Sequence, residues 1–357
     1  MHMFGDRLKQ ARSATGLSLR GLADRMENYV SAQVIHKYEL GQTTPGSDVL
    51  IKLSQTLGVK MEFFFRPQSV AIYLSEPEFR KKATVSKKEI DAIRAQAQEL
   101  VEKYLEVESL FPNRFKTKVI SQKLRVSVKT MDDIEERAKE LRKHWSLGLD
   151  PIENAIEVLE DQGVKVVMLE TDAKVDGLSC WANETIPVVV VNKKQTSDRL
   201  RMSLAHELGH LLLGETKSID QEKAAYRFAG AFFVPDEAAK RELGENRTKL
   251  SIYELKNLRK KYGLSVQAWV HRAQDLKIIS DSYASQIFAF FRQQGIHNIE
   301  MGDPLSTELP KRFERLVIQA VEEGLISDSR GAEMLDVSVN ALRQRIKGDV
   351  SVGEHNP

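Results

Sequence analysis

The segment RMSLAHELGHLLLG holds two histidines four residues apart, His206 and His210, with Glu207 directly after the first. Residues four apart share a helical face, so both imidazoles can converge on one metal ion. Zn2+ is the natural ion for two imidazoles plus a carboxylate with one position open to water. The glutamate of such an HExxH pair can reach that water as a general base. These residues point to zinc-dependent peptide hydrolysis. A catalytic site needs a third protein ligand, and no histidine follows at the metzincin spacing, so a carboxylate on the next helix is expected. The candidates are Glu215, Asp220, Glu222 and Glu237. Glu215 sits close behind the end of the first helix. Glu222 opens the helix EKAAYRFAGAFFVP, whose Phe228, Ala229 and Phe232 can pack beneath the site.

The surrounding pattern supplies a scaffold. Leu204, Leu208, Leu211 and Leu212 give the motif helix an apolar packing face, with Asp198 near its N-terminal turn and Gly214 at its end. VKVVMLE, GLSCWAN and PVVVVN read as three short strands separated by polar turns. Helices are predicted before them, over Asp132–Trp145 and Pro151–Gln162, and two more after the motif around a Gly-Leu-Ser turn. His271, in the later pair, reads as a packing or surface residue and not as a ligand. A small sheet packed on helices is an α+β, zincin-like arrangement.

GLSCW, PVVVVN, RMSLAHELGHLLLG and EKAAYRFAGAFFVP together resemble the ImmA/IrrE family of zinc metallopeptidases, from about residue 131 to 275. The resemblance implies His206, His210 and Glu222 as ligands and Glu207 as catalytic base. It also implies a phage-type repressor as the kind of protein acted on. This chain departs at Ala224–Ala225–Tyr226, where the family often has Glu-Ala-Asn before the Phe-Ala pair.

Toward the N-terminus, apolar residues recur at helical spacing in short stretches punctuated by Gly16, Gly41 and Pro45. Ser18, Ser31 and Ser47 stand where helices begin. Five short helices with a tight turn between the second and third describe a helix-turn-helix. LADRMENYVSAQVIHKYELGQTTPGSDVLIKLSQTLGV is similar to the Cro/C1 (XRE) type of that fold. The resemblance implies that Ala32, Gln33, His36 and Lys37, outward on the third helix, enter the major groove of operator DNA. Gln33 can pair bidentately with adenine, Lys37 can reach guanine or a phosphate, and Ala32 offers a methyl contact. The turn MENYV is one residue longer than expected.

Four segments follow: a helix-turn-helix over 1–67, a helical linker over 68–130, the zinc metallopeptidase domain over 131–300 and a helical C-terminal module over 301–357. The linker carries a basic cluster, Arg80–Lys81–Lys82, read as solvated, and a basic irregular stretch from 113 to 130. In the module, FERLVIQAVEEGLISDSRGAEMLDVSVNALRQRIKG has helix-turn-helix cadence, with Arg343, Arg345 and Lys347 outward. It reads equally as a second DNA contact and as a small interaction module, and SVGEHNP as frayed. A net charge of +2 leaves nucleic-acid binding to a local basic face, and a single cysteine, Cys180, excludes an intrachain disulfide framework. No apolar run is long enough to cross a bilayer, and MHMFGDRLKQARSATG carries charges where a signal peptide needs an apolar stretch. The expectation is a cytoplasmic, homodimeric regulator that cuts a repressor or antitoxin-like protein. The other reading is a regulator or antitoxin whose zinc domain senses a signal, or binds a partner, without cutting.

Overall fold

The computed structural model describes residues 3–65, 72–76, 85–111, 125–214, 219–296 and 301–348. The chain divides into two compact units. The first takes Met1–Tyr73, Thr84–Lys116 and Lys311–Pro357; the second takes Leu74–Ala83 and Thr117–Pro310.

The first unit begins with α1 (Met3–Ala14), α2 (Leu19–Arg25), α3 (Ala32–Glu39), α4 (Ser47–Leu57) and a single 3-10 turn, Met61–Phe65. Ser18 and Ser31 accept hydrogen bonds from Gly21 N and Val34 N, so the serines that mark helix starts do cap them. Leu8, Leu22, Met26, Ile35, Leu53 and Phe64 form the centre of the core, and Phe4 packs its ring on Phe64 at 5.4 Å. The long α2–α3 turn is accommodated by two consecutive left-handed residues, Glu27 and Asn28, both at φ 57°.

Residues 87–109, part of the stretch expected to be a linker, form α5 (Lys87–Ser109), opened by a capping box between Ser86 and Glu89. As far along as Glu102 it packs on α1. There Arg7 donates to Glu102 at 2.6 Å, with both side chains buried, and Gln96 Nε2 donates to the carbonyl of Ala14. Its C-terminal part packs on α14 (Arg312–Glu322), where Tyr104, Val107 and Phe111 meet Leu316, Val317 and Ala320. Two more helices, α15 (Asp328–Met334) and α16 (Val339–Lys347), complete this unit, and Arg330 of α15 clasps Glu106 of α5. The cluster Arg80–Lys81–Lys82, most of the 113–130 stretch and SVGEHNP lie outside the described residues.

The second unit runs α6 (Met131–His144), α7 (Ala155–Asp161), β1 (Lys165–Leu169), β2 (Gly177–Ala182), β3 (Ile186–Asn192), α8 (Ser197–Leu212) and α9 (Gln221–Phe233). It continues with α10 (Asp236–Leu243), α11 (Ile252–Tyr262), α12 (Val266–Asp275) and α13 (Asp281–Gln293). The sheet order is β1-β3-β2, with β3 parallel to β1 and antiparallel to β2. Central β3 is covered on both faces, which is why its sequence is an unbroken valine run and not an alternation. Residues 301–310 belong to this unit, although the sequence reading grouped them with the C-terminal module. Glu308 is buried, pairs with Arg201 and accepts from Ala155 N and Ile156 N at the start of α7. That caps α7 and anchors the segment. Among the described residues no helix is long and apolar enough to cross a membrane.

The Arg7–Glu102 pair makes a testable demand. Arg7→Met leaves a buried carboxylate without its partner and is expected to destabilise the α1–α5 contact by about 3–5 kcal/mol, whereas joint replacement of both by Met costs much less. Hydrogen exchange of the α1 and α5 amides reads the difference; equal loss of protection in the single and double variants would refute it.

Candidate functional site

The motif residues lie in the C-terminal half of α8, with Leu204, Leu208, Leu211 and Leu212 fully buried on its packing face. His206, Glu207 and His210 are themselves 7%, 8% and 4% exposed, too little for surface side chains on an ordinary helix. The i,i+4 spacing brings the two Nε2 atoms to 3.0 Å of each other. Glu222 comes from the first turn of α9. Its two carboxylate oxygens stand 3.4 Å from His206 Nε2 and 3.4 Å from His210 Nε2. Three donor atoms thus lie within 4.8 Å of one another.

These separations suit a small tetrahedral ion. Zinc bonds of about 2.1 Å at tetrahedral angles put neighbouring donor atoms about 3.4 Å apart. Two imidazoles and one carboxylate are a donor set of the type that leaves a fourth position for water or substrate. Hydrogen bonding from His206, then from His210, holds the Glu222 carboxyl far below the usual carboxylate range, so it stays an anionic donor.

Of the other carboxylates considered from the sequence, Asp220 caps α9, accepting from Lys223 N at 3.0 Å. Glu237 pairs with Lys139 at 2.9 Å on α10. Glu215 lies outside the described residues. His271 sets its ring 4.3 Å from Phe288 and is not part of the cluster.

Why Glu222 reaches the imidazoles is a matter of helix spacing. A Cβ on Gly209 would sit 3.1 Å from Phe228 Cδ1 and 3.4 Å from Ala225 Cα. The glycine inside HELGH therefore lets α9 lie close against α8. Two residues that sequence reading did not single out shape the surroundings of Glu207. Ser179 of β2 donates its hydroxyl to Glu207 Oε2 at 2.8 Å. Gly177, two residues earlier on the same strand face, leaves room for the carboxylate, since a Cβ there would meet Glu207 Cγ at 2.8 Å. Period-2 alternation in GLSCW was the available signal, because it puts 177 and 179 on one face. Tyr226, one turn after Glu222 and 48% exposed, lays its ring 4.2 Å from that of His206. The Nδ1 of His206 is buried and finds no hydrogen-bond partner among the described residues, so ring packing orients this imidazole.

In the other unit, Gln33, His36 and Lys37 are exposed on α3, while Ala32 is half-buried against the head's core. Ile35 and Tyr38 point inward and Glu39 is clamped by Arg12 at 2.6 and 3.0 Å, so α3 is held from one side and bare on the other.

The crowding at the two glycines gives a graded expectation. Gly177→Ala should displace the Glu207 side chain and leave the three donors in place, so bound zinc is unchanged and any hydrolytic rate falls at least tenfold. Gly209→Ala should push α9 away by a few tenths of an ångström and weaken zinc binding. A Gly177→Ala variant that loses zinc, or a Gly209→Ala variant with unaltered zinc affinity, would contradict this packing.

A peptidase-family model described as the IrrE N-terminal-like domain matches residues 159–274, and a model described as helix-turn-helix matches residues 8–64. A curated relative is the SPbeta prophage-derived uncharacterized HTH-type transcriptional regulator YonR of Bacillus subtilis (strain 168). It is 36% identical over 74 residues, which cover 21% of this chain and 67% of the relative. No solved structure gives a significant match. With its serine-capped α2 and α3 inside the first match and its two imidazoles, glutamates and glycines inside the second, the chain belongs to the XRE-type helix-turn-helix regulators and joins to that head a domain of the IrrE-like peptidase family.

Proposed function

We propose that this chain is a DNA-binding transcriptional regulator with a zinc-dependent metallopeptidase domain that cleaves a repressor or antitoxin-like protein. The observation that carries the reading is the meeting of His206, His210 and Glu222 at one point, with Glu207, the residue after His206, held at its carboxylate by Ser179. Zinc bound by those three residues would supply a Lewis acid that polarises a scissile carbonyl and acidifies a water. With that ion bound, Glu207 would be the base that holds the proton of the attacking water on its carboxylate and returns it to the leaving amine. Ser179 engages Oε2 and so fixes the rotamer of the carboxylate, and burial of Glu207 keeps competing solvent away from it. Glu222 and the Nε2 atoms of His206 and His210 would stay unprotonated as ligands and take no part in the proton transfer.

On the head, Gln33 reads adenine, Lys37 reaches guanine or phosphate, and His36 and Ala32 line the same face of α3. One such helix covers only a few base pairs, so the chain works as a homodimer on a roughly palindromic operator.

Two measurements test the halves separately. Wild-type chain should carry about one zinc by elemental analysis, His206→Ala and Glu222→Ala should lose it, and unchanged zinc in either removes the site. Glu207→Gln should keep the zinc but slow disappearance of the repressor or antitoxin-like protein encoded beside it by about 100- to 10,000-fold on co-expression. Cleavage at the wild-type rate would leave a regulator that does not use this base. For the head, Gln33→Ala and Lys37→Ala should each weaken binding to the selected operator duplex. The Lys37 change should also lower the slope of log affinity against log salt by about 1 if it contacts phosphate.

A further inference from the structure

The helices α14, α15 and α16 repeat, in order and in capping register, the helices α1, α2 and α3. Each trio opens with a helix closed by a left-handed glycine followed by leucine, Gly16–Leu17 at φ 65° and Gly324–Leu325 at φ 70°. In both, the leucine N–H returns to a carbonyl five residues back, on Arg12 and on Ala320. Counting from the next caps, Ser18 and Ser327, the correspondence continues. Each caps a seven-residue helix through its hydroxyl. Five residues on stand buried alanines, Ala23 and Ala332, whose carbonyls accept from Asn28 N and Val337 N, ten residues after the caps. Nine residues on stand the left-handed residues Glu27 and Asp336, at φ 57° and 54°. The head then inserts Tyr29 and Val30, and both trios reach a serine, Ser31 or Ser338, that caps the third helix. Four residues after it a fully buried side chain, Ile35 or Leu342, pins that helix to its own core.

We infer that α16 is a second DNA-reading helix, with Val339, Asn340, Arg343 and Gln344 in the positions held on α3 by Ala32, Gln33, His36 and Lys37. The residue types suit base edges: Asn340 can pair bidentately with adenine and Arg343 with guanine O6 and N7. Asn340, Arg343, Gln344, Arg345 and Lys347 are all exposed. From Val339 to Lys347 the helix has three basic residues and no acidic one, the sign that a phosphate backbone attracts. Arg343 gives Nε to Asp328 and Arg345 one terminal nitrogen to Glu314, contacts that orient the guanidinium groups and use a part of their five donors each. Both trios are seated on one helix: α1 meets α5 at Gln96 and Glu102, and α14 meets it from Tyr104 on, where Phe313 stacks on Tyr104 at 5.5 Å. A shared spine holds the two reading helices in one unit, so each chain has two separate base-reading elements at a fixed spacing.

The test uses the full chain. Wild type is used to select duplexes from a random-sequence library, and hydroxyl-radical footprints on a selected duplex are compared with those of Asn340→Ala/Arg343→Ala and Gln33→Ala/Lys37→Ala. Wild type should protect two separate stretches per chain. The α16 variant should lose one stretch with its base preference, and bind roughly 10- to 100-fold more weakly, with an unchanged circular dichroism melt. The α3 variant should lose the other stretch, so a failed head and a failed α16 give different patterns. An α16 variant with the wild-type footprint and affinity overturns the inference, and leaves α14–α16 as a protein-interaction module. A wild-type chain that enriches no duplex overturns it as well.

Discussion

The approach of α9 to α8 is the contact on which the geometry of the three donor atoms rests. Two imidazoles on one helix can turn toward a common point unaided, but the carboxylate that completes the donor set belongs to a different helix. It arrives only if the helices pack nearly backbone to backbone. Gly209 permits that approach, while Ala224, Ala225, Phe228 and Ala229 give α9 a face of small and flat side chains against it. The end of α9 is fixed by charge. Arg142 donates to the carbonyl of Phe232 and Arg272 to that of Val234, filling acceptors that a helix C-terminus otherwise leaves to water. Burial pulls the Arg142 guanidinium down to about 10, still well above neutral pH, so this cap stays cationic. Glu135 holds Arg227 and Arg272 from α6, so three helices share one ionic seam behind the donors.

What could be read from the sequence divides along the range of the interactions. The i,i+4 histidines and the serine caps are local, and spacing alone announces them. Spacing alone left Glu222 as one of four carboxylates, and the family resemblance singled it out, because choosing among them is a question of which helix packs where. Ser179 and Gly177 carry no motif of their own; only their place on a strand beside α8 gives them a part. The same holds for α5. The linker was expected to be helical, but nothing in its sequence says that Glu106 meets Arg330, a residue 224 positions away. The valine run of β3 was readable as a strand because a strand covered on both faces needs no alternation.

The two units also use charge differently. In the head, buried pairs such as Arg7–Glu102 and Arg12–Glu39 sit under exposed faces that remain polar. In the second unit, Arg201–Glu308 and Arg259–Asp198 tie the ends of α7, α8 and α11 together. Pairs of that kind add little net stability compared with well-packed apolar groups, but they penalise every arrangement that separates the partners. A site that must hold three donors within a few tenths of an ångström gains from that selectivity.

The chain order of the first unit has a consequence for synthesis. Its α5 is made early, whereas α14, which covers Tyr104, Val107 and Phe111, is made only after the roughly 190 residues from Thr117 to Pro310. At about 5–20 residues per second, an emerging chain leaves that apolar end of α5 bare for about 10–40 s. During that interval the whole second unit can emerge and fold, so the nascent protein holds a finished IrrE-like domain before its DNA-binding unit is closed. Residue order thereby imposes a timetable, in which α14 seals a surface that has waited through the synthesis of the second unit.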